Sequence, residues 1–273
     1  MDVKARTTFF WQGYICLRLF PVRAVIAGFG YLGQKIAAGL ATQGFNLTVI
    51  RRSPSPGQNG IKFVPTDLMA NLPEMTESAF DVAVFCLAPG SRNPELYQQT
   101  YVVAQKNFLA RIEARHYVYI SSTAVYPDLP GTYTEEHGSA HSDRAAILLE
   151  AEATARSHSR AIALRLAGLY SQERPIYGRM NSNYKEDRLV HFIHRDDAAR
   201  AALHSIQEKL TGIFNVHDGH PQWRSTILRE LGITTPAQAG PQRHISQQKF
   251  ADTGFRPVYQ DYLTGICNQG ISD

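Results

Sequence analysis

Long apolar runs are missing from this sequence of 273 residues. None approaches the roughly 20 residues that a membrane-spanning helix needs, so a transmembrane protein is not expected. Cysteine is also scarce. Cys16, Cys86 and Cys267 are odd in number and far apart, which argues against a disulfide framework and against metal-ligand spacing. This usage favours a reducing compartment, and we therefore expect a cytoplasmic protein.

Charged residues make up only 19% of the chain, and their distribution leaves no broad basic surface. The formal net charge is +4, of which the first 23 residues carry +3. Because the remainder has no basic stripe, we expect no nucleic-acid partner. With 44% hydrophobic residues, 20 glycines and 14 prolines, the composition is that of a globular protein. It excludes a disordered chain, a collagen and a coiled coil.

Residues 1–22 are predicted to be a dispensable leader. Their aromatic stretch over 9–20 resembles the apolar part of a signal peptide, but Gln12 and Arg18 interrupt it and no small-residue cleavage site follows. We expect this leader to pack loosely or not at all, because the first predicted strand begins only near Arg23.

The rest of the chain alternates between short apolar runs and helical spacing, as successive βα units require. Strands are predicted at 23–27, 47–50, 61–64, 82–87, 117–120, 161–166 and 213–216, and helices at 31–43, 94–115, 142–157 and 195–208. Near-continuous apolar strands separated by helices predict a Rossmann-type, doubly wound parallel α/β sheet. We divide the chain into a dinucleotide-binding domain at 23–166 and a smaller substrate-binding lobe at 167–273. Some elements of the lobe are expected to return to the Rossmann core.

The strongest motif is the loop Gly28-Phe29-Gly30-Tyr31-Leu32-Gly33, which leaves a predicted strand and opens a predicted helix. Gly28 permits a tight turn, Gly30 allows close approach of a pyrophosphate, and Gly33 lets helix and strand pack closely. Backbone N–H groups at the start of the helix, at Tyr31 and Leu32, would meet the phosphates. The alternative is that these glycines only form a turn.

The end of the second strand carries Arg51 and Arg52, where an NAD-binding chain would have an acidic residue for the ribose 2′-hydroxyl. A guanidinium cannot accept that hydrogen bond, whereas its planar fork suits a 2′-phosphate. The sequence therefore predicts NADP(H) in preference to NAD(H). A solvated basic turn is the alternative.

Several motifs together resemble the extended short-chain dehydrogenase/reductase superfamily, and in particular atypical members of its NAD-dependent epimerase/dehydratase family. Besides the glycine loop, they are Thr66-Asp67-Leu68, Ile120-Ser121-Ser122-Thr123-Ala124-Val125-Tyr126, Leu164-Arg165-Leu166-Ala167-Gly168-Leu169-Tyr170, Phe192-Ile193-His194-Arg195-Asp196-Asp197 and Thr253-Gly254-Phe255-Arg256-Pro257. The resemblance covers residues 23–265.

This resemblance implies roles for further residues. Ser122 corresponds to the catalytic Ser or Thr of the family. Cofactor contacts are implied for Asp67 with Leu68 near the adenine, for Leu87, Ala88 and Pro89 along the cofactor, and for Gly168 and Leu169 near the nicotinamide.

One departure from the family is clear. Its members use a Tyr-x-x-x-Lys pair, in which the Lys charge lowers the pKa of the Tyr, on the helix after the catalytic Ser. The corresponding helix here, 142–150, contains neither residue type. The only pair with this spacing is Tyr31 with Lys35, in the glycine loop and its helix, which we interpret as coincidence. The residues weighed as substitutes, each more simply explained as a loop or packing residue, are Tyr126, Tyr133, Tyr170, His137, His141 and Arg144.

Two hypotheses for the function follow. The first is an NADP(H)-dependent epimerase/dehydratase-like oxidoreductase for a nucleotide-sugar-like or other small carbonyl or alcohol substrate. Arg174 and Arg179 could clamp its phosphates, or could lie in a solvated loop. The second is a non-catalytic, NADP(H)-binding redox-sensing or regulatory protein. No metal is expected, because the pairs His191/His194 and His217/His220 lack an evident third ligand.

Overall fold

The computed structural model describes residues 10–11, 14–15, 22–53, 60–70, 75, 77–91, 93–176, 186–233, 240 and 242–267. Within the leader it describes two short antiparallel strands, Phe10–Trp11 and Tyr14–Ile15. The prediction that the leader packs loosely otherwise falls outside the described residues.

A seven-stranded parallel sheet forms the centre of the molecule. Its strands are β1 (Arg23–Ala27), β2 (Asn46–Arg51), β3 (Lys62–Pro65), β4 (Ala79–Phe85), β5 (Glu113–Ser122), β6 (Ala161–Leu166) and β7 (Gly212–Val216). The spatial order is β7-β6-β5-β4-β1-β2-β3. The chain reverses its winding direction between β1 and β4, and ligands of such sheets bind outside the carboxyl ends of the strands at this point. The predicted fold class is confirmed.

The central strands β1 and β6 are buried on both faces of the sheet, so neither has an exposed face. All six residues of β6 are buried, and so are the last four of β1. One face packs against α1 (Gly33–Thr42) and α4 (Arg195–Gln207), and the other against α2 (residues 94–109) and α3 (Asp143–Arg156). A parallel sheet covered on both sides selects apolar residues at successive positions.

Helix α2 consists of three consecutive segments, Pro94–Gln98, a π-helical turn over Gln99–Val103, and Ala104–Leu109. The side chain of Asn93 caps its first turn by accepting the N–H of Leu96 at 3.1 Å. The predicted helix over 94–115 was wrong at its end, since residues 113–115 belong to β5. Pairing with β4, in which Glu113 lies opposite Ala79, overrides the helical propensity of these residues.

After residue 167, the described elements other than α4 and β7 are short. The helices are α5 (Arg224–Glu230), α6 (Gln248–Ala251) and α7 (Tyr262–Cys267). The paired strands are Gly168–Tyr170 with Phe192–His194, Leu189–Val190 with Gln222–Trp223, and Gly131–Tyr133 with Arg243–Ile245. Since β7 and α4 also come from this region, the division at residue 166 stays a prediction. Among the described residues, no helix is long and apolar enough to cross a membrane.

Candidate functional site

The glycine loop joins β1 to α1 at the centre of the carboxyl edge of the sheet. Gly28 has a φ of 101°, and a Cβ there would lie 2.7 Å from the carbonyl oxygen of Cys86. A Cβ on Gly33 would overlap the carbonyl oxygen of Gly28. Two of the three glycines are therefore required by the packing of the loop itself.

Gly30 is different, because a Cβ at this position would meet no atom of the described residues within 4 Å. The N–H of Gln34 donates to the oxygen of Gly30 at 3.1 Å, which is the first helical hydrogen bond. The preceding N–H groups, those of Tyr31 and Leu32, therefore lie at the helix N-terminus, where backbone donors lack helical partners. Open space beside these donors fits the diphosphate of a dinucleotide.

Arg51 and Arg52 lie beside this loop at the end of β2. Arg51 is half-buried, with its guanidinium carbon 5.9 Å from the ring centre of Phe29, and Arg52 is exposed. Phe29 packs edge-on against Phe63 at 5.1 Å. The loop and the arginines therefore share one edge of the sheet, as the cofactor prediction requires.

Asp67 and Leu68 follow β3 at the same edge. The Asp67 side chain is exposed, and its Oδ1 accepts the N–H of Met69 at 3.0 Å, which shapes the turn. Leu68 is buried, and its carbonyl oxygen accepts a hydrogen bond from Asn107 of α2 at 3.0 Å. Leu68 thus anchors the turn, while Asp67 faces solvent.

The segment Leu87-Ala88-Pro89 continues from β4 next to the glycine loop. The preceding Cys86 donates its N–H to the oxygen of Ala27 at 2.9 Å. Leu87 and Pro89 are half-buried and Ala88 is exposed, so the segment borders the same edge of the sheet.

Ser122 is the last residue of β5, opposite Leu166 of β6. It is half-buried, and its Oγ accepts the N–H of Ala124 at 3.2 Å, capping the short 3₁₀ turn Thr123–Val125. This contact uses an acceptor position of the hydroxyl and leaves its hydrogen free to donate. A hydroxyl held in this way can orient and polarise a substrate oxygen, but it is not a strong base near neutral pH.

Ser121, the residue before Ser122, contacts a buried ion pair that sequence reasoning missed. Ser121 donates to Oε1 of Glu152 at 2.6 Å, and Arg165 donates to both Glu152 oxygens at 2.9 and 2.7 Å. The side chains of Glu152 and Arg165 are each only 2% exposed. Burial acts to lower the pKa of Arg165, and Glu152 more than offsets this effect, so that the pKa lies above its usual range.

The ion pair extends into a network that ties β5, β6 and β7 together. Arg165 also donates to the Tyr126 hydroxyl and to the Glu135 carbonyl, both at 2.7 Å. Tyr126 donates to Oδ1 of Asn215 at 2.7 Å, and the N–H of Asn215 donates to the Glu135 carboxylate at 2.8 Å. The only sequence signal was a charged residue in the apolar strand β6.

The candidate substitutes for the missing Tyr and Lys have partners elsewhere in the protein. Burial raises the pKa of Tyr126 and of Tyr170, so both phenols stay protonated near neutral pH and are not available as bases. The Tyr170 hydroxyl donates to the oxygen of Asp261 at 3.0 Å, and that of Tyr133 donates to Leu129 at 3.2 Å. The Arg144 guanidinium lies over the Tyr97 ring, 5.3 Å from its centre.

The two candidate histidines also have local partners. Nδ1 of His137 accepts the N–H of Thr134 at 3.0 Å, and Nδ1 of His141 lies 3.0 Å from the oxygen of Ser139. These contacts explain both residues as loop residues.

Gly168 and Leu169 lie on a short strand beside Phe192 and Ile193. The N–H of Gly168 donates to the oxygen of His191 at 3.0 Å, and a Cβ on Gly168 would lie 2.6 Å from the Phe192 ring. Packing against Phe192 therefore accounts for this glycine, and Leu169 is half-buried beside it.

Two of the four histidines considered as metal ligands, His191 and His217, instead hydrogen-bond to the short strand Arg243–Ile245. Nε2 of His191 accepts the N–H of Ile245 at 3.0 Å, and Nε2 of His217 donates to the oxygen of the same residue at 2.8 Å. Burial lowers the pKa of His191 to about 2 and that of His217 to about 4, so both are neutral near pH 7. No group of three potential ligands occurs among the described residues.

Tyr31, in the glycine loop, meets two arginines from the second half of the chain. The guanidinium carbons of Arg195 and Arg174 lie 4.6 and 4.9 Å from its ring centre. Arg174 is one of the two arginines predicted as a phosphate clamp. The other, Arg179, lies outside the described residues. No feature of the sequence alone associated Arg195 with the glycine loop.

Comparison with known proteins agrees with this geometry. The model of the NAD dependent epimerase/dehydratase family matches residues 24–216. No curated protein matches the chain.

Solved structures are similar over nearly the whole chain. One is from Methylobacillus flagellatus and is assigned to the NAD-dependent epimerases/dehydratases, with 25% identity, a TM-score of 0.73 and coverage of 89% of this chain and 96% of that one. Two others share the fold at lower identity. UDP-glucuronic acid 4-epimerase from Bacillus cereus, solved with NAD, is 15% identical (TM-score 0.70, coverage 89% and 97%). MoeE5, solved with UDP-glucuronic acid and NAD, is 17% identical (TM-score 0.73, coverage 90% and 97%).

Proposed function

The chain belongs to the NAD-dependent epimerase/dehydratase family, and from this premise we propose that it binds NADP(H) and is an oxidoreductase of the epimerase/dehydratase type. The observation that carries this proposal is the open space at Gly30, next to a helix N-terminus at the point where the sheet reverses its winding. Gly28, Tyr31, Leu32 and Gly33 would complete the diphosphate contacts.

The preference for NADP(H) rests on Arg51 and Arg52. Arg51 lies at the end of β2, beside the aromatic ring of Phe29 in the glycine loop. Its guanidinium can bind a 2′-phosphate with two parallel hydrogen bonds, whereas a 2′-hydroxyl offers no matching charge. Asp67 and Leu68 would lie near the adenine.

We propose a nucleotide-sugar-like substrate, or another small carbonyl or alcohol compound. Support comes from neighbours of the same fold that were solved with UDP-glucuronic acid or named for it. When bound, the nicotinamide supplies reversible two-electron oxidation and reduction of an alcohol or carbonyl. Leu87, Ala88, Pro89, Gly168 and Leu169 would enclose it.

Ser122 would donate its hydroxyl hydrogen to the reacting oxygen of the substrate. Its Oγ accepts the N–H of Ala124, so the oxygen is held in place before a substrate arrives. Helix α3 provides no phenol or ammonium group, and we therefore expect slow turnover of generic carbonyl compounds.

The absence of Tyr and Lys from α3 favours a second function, a non-catalytic NADP(H)-binding protein that senses redox state. Either protein would work in the reducing cytoplasm, consistent with the free thiols of Cys86 and Cys267. The two functions differ in whether NADPH is oxidised when members of a carbonyl and sugar-nucleotide panel are added.

Calorimetric titration with NADP⁺ and NAD⁺ tests the cofactor assignment. Replacing Arg51 and Arg52 together by Ala should weaken NADP⁺ binding at least about tenfold, the effect of losing one charge-assisted hydrogen bond, and leave NAD⁺ binding nearly unchanged. The control is Arg111→Ala, which removes an exposed arginine just before the amino end of β5 and should change neither affinity. Equal weakening for both dinucleotides would contradict the NADP(H) preference.

Ser122→Ala tests the chemistry. In an enzyme it should reduce NADPH oxidation without weakening NADP⁺ binding, because the hydroxyl contacts substrate and not the cofactor phosphates. In a sensor, the unsubstituted protein should oxidise no NADPH with any member of the panel. Fast turnover that survives this substitution would show that another residue performs the reaction.

A further inference from the structure

The glycine loop is contacted by two arginines that belong to the other half of the chain. Arg195 is the first residue of α4, and Arg174 follows the short strand Gly168–Tyr170. Their guanidinium carbons lie 4.6 and 4.9 Å from the ring centre of Tyr31, within the range of cation–π attraction. Two positive charges are thereby held one residue away from Gly30, where the loop is open.

The Arg195 side chain is largely withdrawn from water, at 17% exposure, yet the nearer of its two carboxylate partners, Glu173, is not. Its Nη2 lies 3.0 Å from Oε2 of Glu173, whose side chain is 71% exposed. An ion pair to so exposed a carboxylate contributes little, because water and salt screen it. Glu173 is therefore a partner that a stronger anion can displace.

The local charge balance also favours an anion. Asp196 pairs with Lys35 at 2.9 Å and also lies 3.8 Å from Nε of Arg195, whose nearer partner is Glu173. Lys35 and Arg195 therefore share two carboxylates. Arg174 is exposed and adds a third positive charge. The surplus lies over Tyr31, next to the backbone donors at the start of α1.

We infer that Arg174 and Arg195 bind the diphosphate of the dinucleotide from the side opposite the glycine loop, with Tyr31 orienting both guanidiniums. The inference rests on the proposed function and adds to it a contact between the cofactor and residues after 167. A diphosphate bound at Gly30 could accept hydrogen bonds from planar guanidinium forks and replace Glu173 as the partner of Arg195.

The experiment measures affinity with two ligands that share the adenosine 2′-phosphate. NADP⁺ contains the diphosphate, and adenosine 2′-monophosphate does not. Arg195→Ala and Arg174→Ala should each weaken NADP⁺ binding about tenfold, the expected effect of one charge-assisted contact, and leave adenosine 2′-monophosphate unchanged. The weakening should be smaller at high ionic strength.

Two further variants keep the test specific. Arg229→Ala removes an exposed arginine of α5 and should change neither affinity. Arg195→Lys keeps the charge but loses the fork, and should fall between Arg195→Ala and the unsubstituted chain. The melting temperature without ligand identifies any variant that binds weakly only because it is less stable.

The outcomes separate this inference from the proposed function. If NADP⁺ binds the unsubstituted chain and both alanine variants equally well, the arginines only pack on Tyr31 and the inference is wrong, while the proposed function stands. If both ligands weaken in parallel, the arginines act through the fold and the inference is again wrong. If the unsubstituted chain binds no dinucleotide, the proposed function and the inference both fail.

Discussion

Asp218→Asn should make the protein more stable near pH 8, by an amount that grows as the pH rises from 6 to about 8. Asp218 follows β7 and is only 2% exposed. Its Oδ1 accepts the N–H of His220 at 2.9 Å, but its Oδ2 has no hydrogen-bond partner among the described residues. Burial, with smaller contributions from Asp261 and Asp197, raises the pKa of the Asp218 carboxyl to about 8.

The magnitude follows from the difference between this value and the ordinary pKa of about 3.9 in an unfolded chain. Between these pH values the folded protein retains a proton on Asp218 that the unfolded chain releases. The contribution of Asp218 to stability is therefore fully present below about pH 4 and is lost as the pH rises through 8. At about 1.4 kcal/mol per pH unit, and allowing for partial ionisation near pH 8, the loss from pH 6 to 8 is about 2 kcal/mol.

The Asn side chain is neutral throughout, so the variant lacks this loss, and all other titrating groups cancel in the comparison. Urea unfolding of both proteins at pH 6, 7 and 8 should give a stability difference that increases by about 2 kcal/mol in favour of Asp218→Asn. Asp128→Asn, at an exposed surface carboxylate, should show a nearly constant difference. A constant difference for Asp218→Asn as well would refute the argument, because it would mean that Asp218 is ionised at neutral pH.

Three other variants test separate parts of the structure. Gly30→Val should abolish binding of NADP⁺ in calorimetry while leaving the melting temperature nearly unchanged, because its side chain would occupy only open space; unaltered affinity would disprove the site. Glu152→Ala should destabilise the protein by about 3–5 kcal/mol in urea unfolding, because it leaves Arg165 buried without its carboxylate. As a control, Glu150→Ala on the exposed face of the same helix should lower the stability by less than about 1 kcal/mol. The folded pKa of His217, about 4, lies below its unfolded value, so the stability that His217 contributes is present above about pH 6.5 and is lost towards pH 4. Relative to His217→Gln, the unsubstituted chain should therefore lose about 1 kcal/mol of stability between pH 6 and 5. Parallel pH profiles of the two proteins would show that His217 is not buried in its neutral form.

The sheet was predictable because its signals are local. Burial on both faces requires apolar residues at successive positions of each strand, and a tight βα turn requires glycines at fixed spacing. The predicted strands 23–27 and 161–166 accordingly coincide with β1 and β6. The glycine loop likewise joins a strand to a helix, as the motif predicted, and membership of the epimerase/dehydratase family is confirmed.

The end of α2 was less predictable. Residues 110–115 continue a plausible helical pattern, but the structure ends the helix at Leu109 and begins β5 at Glu113. What decides this is the hydrogen bonding available from β4, which lies about 30 residues earlier in the chain. Local propensity carries no information about a partner at that distance.

By itself, then, the sequence determined the order of strands and helices, the position of the glycine loop and the absence of Tyr and Lys from α3. Only the tertiary structure decided which charged side chains meet. Arg165 reaches Glu152 across 13 residues, and Arg195 reaches Tyr31 from the opposite half of the chain. The physical reason is that burial and pairing of charge depend on distances in space, which the fold sets and which spacing along the chain does not record.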